Sequence, residues 1–215
     1  MNRLQVFSLP LLILACSCSI SQEKLGKLPD QKYYNELRDE FPKDFTTHFP
    51  DTVYNPIFAL INNKDSSLNN VGFVLIESDV DSERIKKIEK TFGNNFQYHV
   101  KYSFDNSFVV NRFKNISATN IDSLKLAAPV FFDVSKYSKS YPIPNFRDYF
   151  FSDNPQLQID ETFEIYVLDS KNGNLYPKFV SKKDIQMPEP WENGYSKGIA
   201  ISKKKKIVAY WGIMW

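Results

Sequence analysis

The chain has 215 residues, and its 27 lysine and arginine residues nearly balance 25 aspartate and glutamate residues. This balance gives no strong positive field, so no nucleic-acid partner is expected. Hydrophobic residues make up 42% of the sequence and aromatic residues 15%, a composition that argues against a disordered chain. A chain of this length can bury one sizeable core.

The amino-terminal segment has the pattern of an export signal. Arg3 is the only charged side chain before residue 23, and Val6 to Ala15 form an apolar run of ten residues. Secretory leaders combine a positive start with such a short apolar core. A transmembrane helix needs ~20 apolar residues, so a removed signal is favoured over a retained span.

The run ends in Ile13-Leu14-Ala15-Cys16, which resembles the lipobox of bacterial lipoproteins. The resemblance covers the leader only, and Ile13 departs from it because leucine is commoner there. It implies that Cys16 receives a thioether-linked diacylglycerol and that a dedicated signal peptidase cuts before it. Two alternatives stay open: Cys18 as the attachment site, and an ordinary secretory leader with incidental cysteines.

The resemblance divides the chain into three parts. Residues 1–15 form the removed signal peptide, residues 16–29 the lipidated cysteine and a flexible tether, and residues 30–215 a single globular domain. Two acyl chains give stable attachment, so the expected partner is a membrane on its extracytoplasmic side. Ser17 after Cys16 resembles the sorting signal for the periplasmic face of the outer membrane.

Both cysteines lie in the leader region, at positions 16 and 18. If Cys16 is lipidated, the domain has no disulfide, no cysteine nucleophile and no cysteine metal ligand. The sequence also contains no glycine-rich phosphate loop, and no cofactor is expected.

Apolar spacing predicts the elements of the first half of the domain. Tyr34, Leu37 and Phe41 recur at helical spacing before Pro42. Two continuous apolar runs predict buried strands, Ile57 to Ile61 and Val71 to Ile76.

A second helix is predicted from Asp81, which has the position of an N-cap, to Gly93. Gly93 is expected to form a left-handed C-cap. Alternation then predicts a strand from Phe96 to Phe104, with the odd-numbered residues on its solvent-facing side.

The middle of the chain carries weaker patterns. Strands are predicted over Ser107 to Phe113 and Val130 to Val134, with a short helix over Asn120 to Leu126 between them. Residues 135–160 are rich in serine, proline and tyrosine and are expected to form a long irregular loop.

Two hairpins are predicted after this loop. Thr162 to Asp169 leads into Asn172-Gly173, a typical hairpin turn, with Leu175 to Val180 as the return strand. Gly198 to Ser202 and Ile207 to Trp215 form the second hairpin over four lysines. The last strand is apolar on both faces and belongs inside the sheet. Together these elements predict an α+β domain, a mainly antiparallel sheet with two or three helices packed on one face.

The segment MPEPWENGYSKG contains the candidate ligand-binding residues. Trp191 and Tyr195 could give an aromatic platform beside Glu189 and Glu192, a combination suited to a glycan or a partner protein. The alternative is that Trp191 fills the edge of the sheet.

No metal site is expected from the other polar residues. His48 and His99 are predicted to be solvated surface side chains. The alternating acids from Glu77 to Glu83 lack the glycine and glutamate positions of a calcium loop, so they predict a turn and a helix cap.

Two functions remain open at this level. The first is a non-enzymatic envelope lipoprotein that binds a partner protein or a glycan. The alternative is an envelope hydrolase that uses a carboxylate pair, for which Asp160, Glu161 and Glu164 are the candidates.

Overall fold

The computed structural model describes residues 31–62, 69–103, 107–110, 137, 139–146, 158–184 and 187–215. Cys16, the tether, the predicted helix from Asn120 to Leu126 and the predicted strand from Val130 to Val134 lie outside these residues. Within them, every helix is too short or too polar to cross a bilayer.

The described residues form three helices and one antiparallel sheet of six strands. The spatial order of the strands is β1-β2-β6-β5-β4-β3. The α+β fold dominated by an antiparallel sheet is therefore confirmed. The elements are α1 (Gln31–Asp39), α2 (Lys43–Thr46), β1 (Pro56–Asn62), β2 (Val71–Glu77), α3 (Ser82–Phe92), β3 (Tyr98–Lys101), β4 (Glu164–Asn172), β5 (Gly194–Ser202) and β6 (Ile207–Met214).

The sheet has a buried core on each side. On the helix side, α1, α2 and α3 cover alternate residues of the central strands, such as Phe73 in β2 and Tyr210 in β6. On the loop side, irregular segments cover the intervening residues, among them Trp211 and Trp215. All eight residues of β6 are buried, as its two apolar faces predicted.

Glycine lets α2 lie directly on the sheet. A Cβ atom placed on Gly212 in β6 would come within 2.5 Å of the Phe45 ring. The ring is fully buried and packs at the centre of the helix-side core. The absent side chain at position 212 therefore fixes how closely α2 approaches the sheet.

The second helix begins as predicted but ends differently. The Asp81 side chain accepts a hydrogen bond from the Arg84 backbone N–H at 2.8 Å, which is an N-cap. Gly93 has a φ of −64°, so the predicted left-handed C-cap is wrong. Its N–H still bonds to the Glu89 carbonyl, because the helical hydrogen-bonding pattern continues through this residue.

The prediction of a buried strand over Ile57 to Ile61 is corrected by the position of this strand, β1, in the sheet. This strand pairs only with β2 among the described strands, so it lies at an edge. Ile57 and Leu60 are 37% and 47% exposed, whereas β2 is buried throughout. The same sequence pattern, a continuous apolar run, therefore corresponds to an interior strand in β2 and to an edge strand in β1.

The predicted return strand from Leu175 to Val180 is also wrong. Gly173 does turn, with a φ of +102°, but the chain then forms a loop. β4 pairs instead with β5, from Glu164 opposite Ile201 to Asn172 opposite Gly194. Pro177 lacks the backbone N–H that a paired strand donates, whereas β5 provides nine residues that can pair with β4.

Two other strands are shorter than predicted. β3 covers only Tyr98 to Lys101, although its alternation of half-buried and exposed residues is confirmed. Within residues 107–110 the predicted strand is reduced to an isolated parallel bridge between Val109 and Ile143. The described parts of 135–160 are irregular, as expected.

Candidate functional site

Trp191 lies against the loop-side core. Its ring is half-buried and meets Phe108 edge-on, with the ring centres 5.8 Å apart and an interplanar angle of 89°. The Trp215 indole N–H donates a hydrogen bond to the Trp191 carbonyl at 2.6 Å. These contacts place Trp191 against the loop-side face of the sheet, and none of them is with the edge strands β1 and β3.

Tyr195 lies on the opposite side of the sheet, in the helix-side core, and is only 4% exposed. Its hydroxyl donates a hydrogen bond to Asp169 at 2.5 Å. Burial, followed by the contact with Asp169, raises the pKa of Tyr195. The predicted platform of Trp191 and Tyr195 is therefore not assembled, because residues four apart on this segment point into different cores.

The two predicted acids lie near the surface of the same segment. Glu192 forms an ion pair with Lys183 at 2.5 Å, and Glu189 is exposed. This ion pair, chiefly through its hydrogen bond, raises the pKa of Lys183. Neither carboxylate lies beside an exposed aromatic ring in the contacts of the described residues.

A different set of rings lies at the β3 edge of the sheet, two of them exposed and one half-buried. His99 and Tyr166 face each other across β3 and β4 and stack, with ring centres 4.4 Å apart and planes 12° apart. Phe96 meets Tyr166 edge-on at 5.7 Å. Phe96 is 37% exposed and the His99 side chain 38%, and we call these three residues the aromatic edge.

Strand alternation predicts Phe96 on the buried side of β3. The strand starts only at Tyr98, so the preceding turn is free to bring Phe96 onto the helix side of the sheet. The prediction for His99 is confirmed, since it lies on the exposed side of its strand. Its Nε2 donates a hydrogen bond to the Glu164 carboxylate at 3.0 Å.

An open pocket of about 420 Å³ adjoins the aromatic edge, and we call it the lysine pocket. Glu164 and Lys101, which lie opposite each other on β4 and β3, form one wall. Lys203 and Lys204 from the β5–β6 turn form another. Lys203 is already paired with Glu89 of α3 at 2.8 Å.

A second open pocket of about 430 Å³ lies further along the helix side, and we call it the bulge pocket. Asp169 and Lys197 line it with opposite charges. Hydroxyl and amide groups come from Thr47, Thr91 and Asn95. Phe92 and Leu168 add apolar surface, and His48 completes the lining.

His48 is buried, so its prediction as a solvated surface residue is wrong. It is 5% exposed, and its Nε2 lies 2.8 Å from the Trp211 carbonyl oxygen. Because a carbonyl only accepts, Nε2 carries the proton. Burial lowers the pKa of His48 to about 3, although the carbonyls of Trp211 and Gly198 oppose this shift. His48 is therefore neutral at physiological pH.

The candidate carboxylates for hydrolysis have structural partners. Asp160 pairs with Lys205 at 2.8 Å and accepts hydrogen bonds from the Thr162 backbone N–H and hydroxyl. Although burial acts to raise the pKa of Asp160, the bonds from Lys205 and Thr162 lower it below its ordinary value. Glu161 and Glu164 both line the lysine pocket, where Glu164 contacts His99.

The described residues contain no group of three or more histidine, cysteine or acidic side chains that could hold a metal ion. Two of the alternating acids, Glu77 and Asp81, have structural contacts. Asp81 caps α3, and the Glu77 carboxylate is fully buried and held by Arg84 at 2.8 and 2.7 Å.

Comparison with known proteins adds no further assignment. The chain matches no protein-family model, no curated protein and no solved structure.

The sequence contained little signal for the aromatic edge. His99 and Tyr166 become neighbours only through the register of β3 against β4, which are separated by more than sixty residues. The bulge pocket likewise depends on one extra residue in β4, and no local sequence pattern indicates that residue.

Proposed function

We propose that this chain is a membrane-anchored lipoprotein of the bacterial cell envelope whose domain binds a glycan at the aromatic edge. The anchor rests on the lipobox-like Ile13-Leu14-Ala15-Cys16, with Cys16 carrying the lipid. Ser17 favours the periplasmic face of the outer membrane. A partner protein is the other occupant considered for the same surface.

One observation carries the binding role. Phe96, His99 and Tyr166 form a ring cluster at the sheet edge, in which Phe96 and His99 are exposed while Tyr166 is half-buried against the helix-side core. Rings give a large contact area for little lost side-chain entropy, and they present flat faces to the C–H groups of a sugar. A ring cluster with two exposed members at a sheet edge therefore offers contact area to a ligand.

The surroundings of the rings favour a glycan over an apolar protein segment. The adjoining lysine pocket is lined mainly by charged side chains, including Lys101, Glu161 and Glu164. Such groups offer hydrogen bonds to hydroxyl groups along an open surface. An apolar protein segment would remove these groups from water without offering them hydrogen-bond partners, which costs free energy.

Co-sedimentation of the purified full chain with protein-free envelope glycan tests the binding role. Phe96→Ala is expected to weaken binding about tenfold, the effect of removing one aromatic anchor. Leu175→Ala is the matched control, because Leu175 is also a large exposed apolar residue, at 53%, outside the aromatic edge.

The outcomes separate the alternatives. Failure of the wild-type chain to sediment with glycan, together with retention on envelope protein, would replace the glycan by a protein partner. Release of soluble sugar from the glycan, lost in Glu164→Gln, would favour the hydrolase. Equal binding by wild type and Phe96→Ala would remove the aromatic edge from the site.

The anchor has its own test. Cys16→Ala is expected to stay unlipidated and uncut by the lipoprotein signal peptidase. Incorporation of radiolabelled palmitate into that variant would contradict the assignment of Cys16, and Cys18→Ala would then identify or exclude the alternative site.

A further inference from the structure

A β-bulge in β4 reorients the charged residue beside it. Ile165 and Val167 point into the loop-side core, so strict alternation would send Asp169 to that side as well. Val167 lies opposite Gly198, but Asp169 lies opposite the preceding residue, Lys197. The extra residue, Leu168, therefore moves Asp169 to the helix side.

The bulge places two opposite charges directly across from each other on adjacent strands. Opposite charges in such cross-strand positions normally attract. Among the contacts of the described residues, however, Asp169 and Lys197 form no ion pair with each other. Lys197 donates to the Asp44 backbone carbonyl at 2.5 Å.

Asp169 is held by its own partners. Its carboxylate accepts hydrogen bonds from the Tyr195 hydroxyl at 2.5 Å and from the Gln97 amide at 3.1 Å. These bonds fix the carboxylate independently of Lys197. The two charges thus remain separate within one pocket, where each retains electrostatic attraction for a ligand group.

The rest of the bulge pocket suits a small ligand with both polar and apolar parts. Its volume of about 430 Å³ falls within the range of small-molecule sites, ~300–1,000 Å³. Phe92 and Leu168 offer apolar contact, and Thr47 offers a hydroxyl. The neutral His48 adds no charge, so Asp169 and Lys197 set the electrostatics of the pocket.

We propose that the bulge pocket binds a small zwitterion, an α-amino acid or short peptide with an apolar side chain. Lys197 would attract the carboxylate and Asp169 the ammonium group. A simple anion would meet repulsion from Asp169, and a simple cation would meet it from Lys197. This site goes beyond the proposed glycan role, since it uses neither Phe96 nor Tyr166.

Titration calorimetry on the purified full chain tests the proposal with leucine and leucyl-leucine as probes. At least one of them is expected to bind with a Kd of about 1 mM or tighter, which suits a ligand of this size. N-acetylleucine lacks the ammonium group and leucinamide lacks the carboxylate. Each is expected to bind at least tenfold more weakly than the zwitterion.

Two variants connect the binding to the charges. Lys197→Gln and Asp169→Asn are each expected to weaken zwitterion binding at least tenfold. Lys171→Gln and Asp39→Asn are the matched controls, because both residues are exposed and outside the pocket lining. A thermal melt of each variant checks that the domain is folded.

Three results would overturn the proposal. The first is that neither zwitterion binds at concentrations up to roughly 10 mM. The second is that the blocked analogues bind as tightly as the zwitterions, and the third is that a folded Lys197→Gln variant still binds them as the wild type does. Since the blocked analogues are tested on the wild-type chain, the outcome does not depend on any variant folding. Glycan co-sedimentation is unaffected by this test, so the two proposals fail separately.

Discussion

Arg84 of α3 holds the fully buried carboxylate of Glu77 at the end of β2, at 2.8 and 2.7 Å. The same carboxylate accepts the Tyr54 backbone N–H at 3.0 Å, and the guanidinium lies over the Tyr54 ring. Burial raises the pKa of Glu77, although the Tyr54 N–H and Arg84 oppose the rise. This contact joins α3 to the sheet.

Removal of Arg84 should be costly because it leaves Glu77 buried without a counter-charge. Arg84→Met is expected to lower the free energy of unfolding by about 3 kcal/mol. The double variant Glu77→Gln, Arg84→Met should recover at least half of that loss. Urea denaturation measures both values.

Lys86→Met is the control for this pair. Lys86 is paired with Glu83 on the exposed side of α3, where the side chains are 68% and 84% exposed. Its loss should cost less than about 0.5 kcal/mol. A similar loss in Lys86→Met and Arg84→Met would show that general helix destabilisation, not the buried pair, is measured.

The buried His48 predicts a specific pH dependence of stability. The imidazole takes up a proton near pH 6.5 in the unfolded chain but only near pH 3 in the folded chain. Between these values the unfolded chain binds more protons, so stability falls as the pH falls. The expected contribution is about 1.4 kcal/mol per pH unit.

His48→Gln tests this contribution, since glutamine retains a donor for the Trp211 carbonyl and does not titrate. Between pH 6.5 and 4.5 the variant should lose most of the pH dependence in urea denaturation. His99→Gln should retain it, because His99 is exposed. An unchanged slope in His48→Gln would mean that His48 does not titrate as its burial implies.

Gly212 predicts an overpacking effect. In Gly212→Ala the new methyl group would meet the Phe45 ring at 2.5 Å, and we expect a loss of about 2 kcal/mol. Phe45→Leu should cost less in the Gly212→Ala background than in the wild type, because the smaller side chain relieves the clash. A thermodynamic cycle of the four proteins measures this coupling.

Gly173→Ala serves as the comparison. Gly173 has a φ of +102° and open space around its Cα, so the cost there is backbone strain alone, about 1 kcal/mol. No coupling to Phe45 is expected. Additive effects of Gly212→Ala and Phe45→Leu would exclude the steric explanation.

The N-cap of α3 gives a further prediction. Asp81→Ala removes the acceptor for the Arg84 N–H and should cost about 1 kcal/mol. Asp79→Gly two residues earlier should cost less, since Asp79 has a φ of +56°, which glycine adopts without strain. Thermal unfolding of both variants makes the comparison, and a larger loss in Asp79→Gly would contradict it.

Several elements were predictable because their signals are local. The N-cap at Asp81, the apolar faces of β6 and the hairpin over the lysines all follow from spacing within a few residues. The class of fold follows from the same signals. Gly93 shows their limit, because its conformation depends on how the chain leaves the helix.

The candidate sites required information that is not local. His48 appeared to be a surface residue, yet α2 brings it over the central strands and buries it. Tyr195 and Trp191 are close in sequence but belong to opposite cores. Both outcomes depend on pairings between β4, β5 and β6, which spacing within one segment does not specify.

The strand order has a consequence for how the domain assembles. β2 and β5, although separated by more than a hundred residues, are joined only through β6, which follows every other described strand in the chain. During synthesis, the β1–β2 hairpin and the β3 segment therefore emerge before the strand that unites them. The sheet closes late, after long-range contacts form, and such topologies fold slowly.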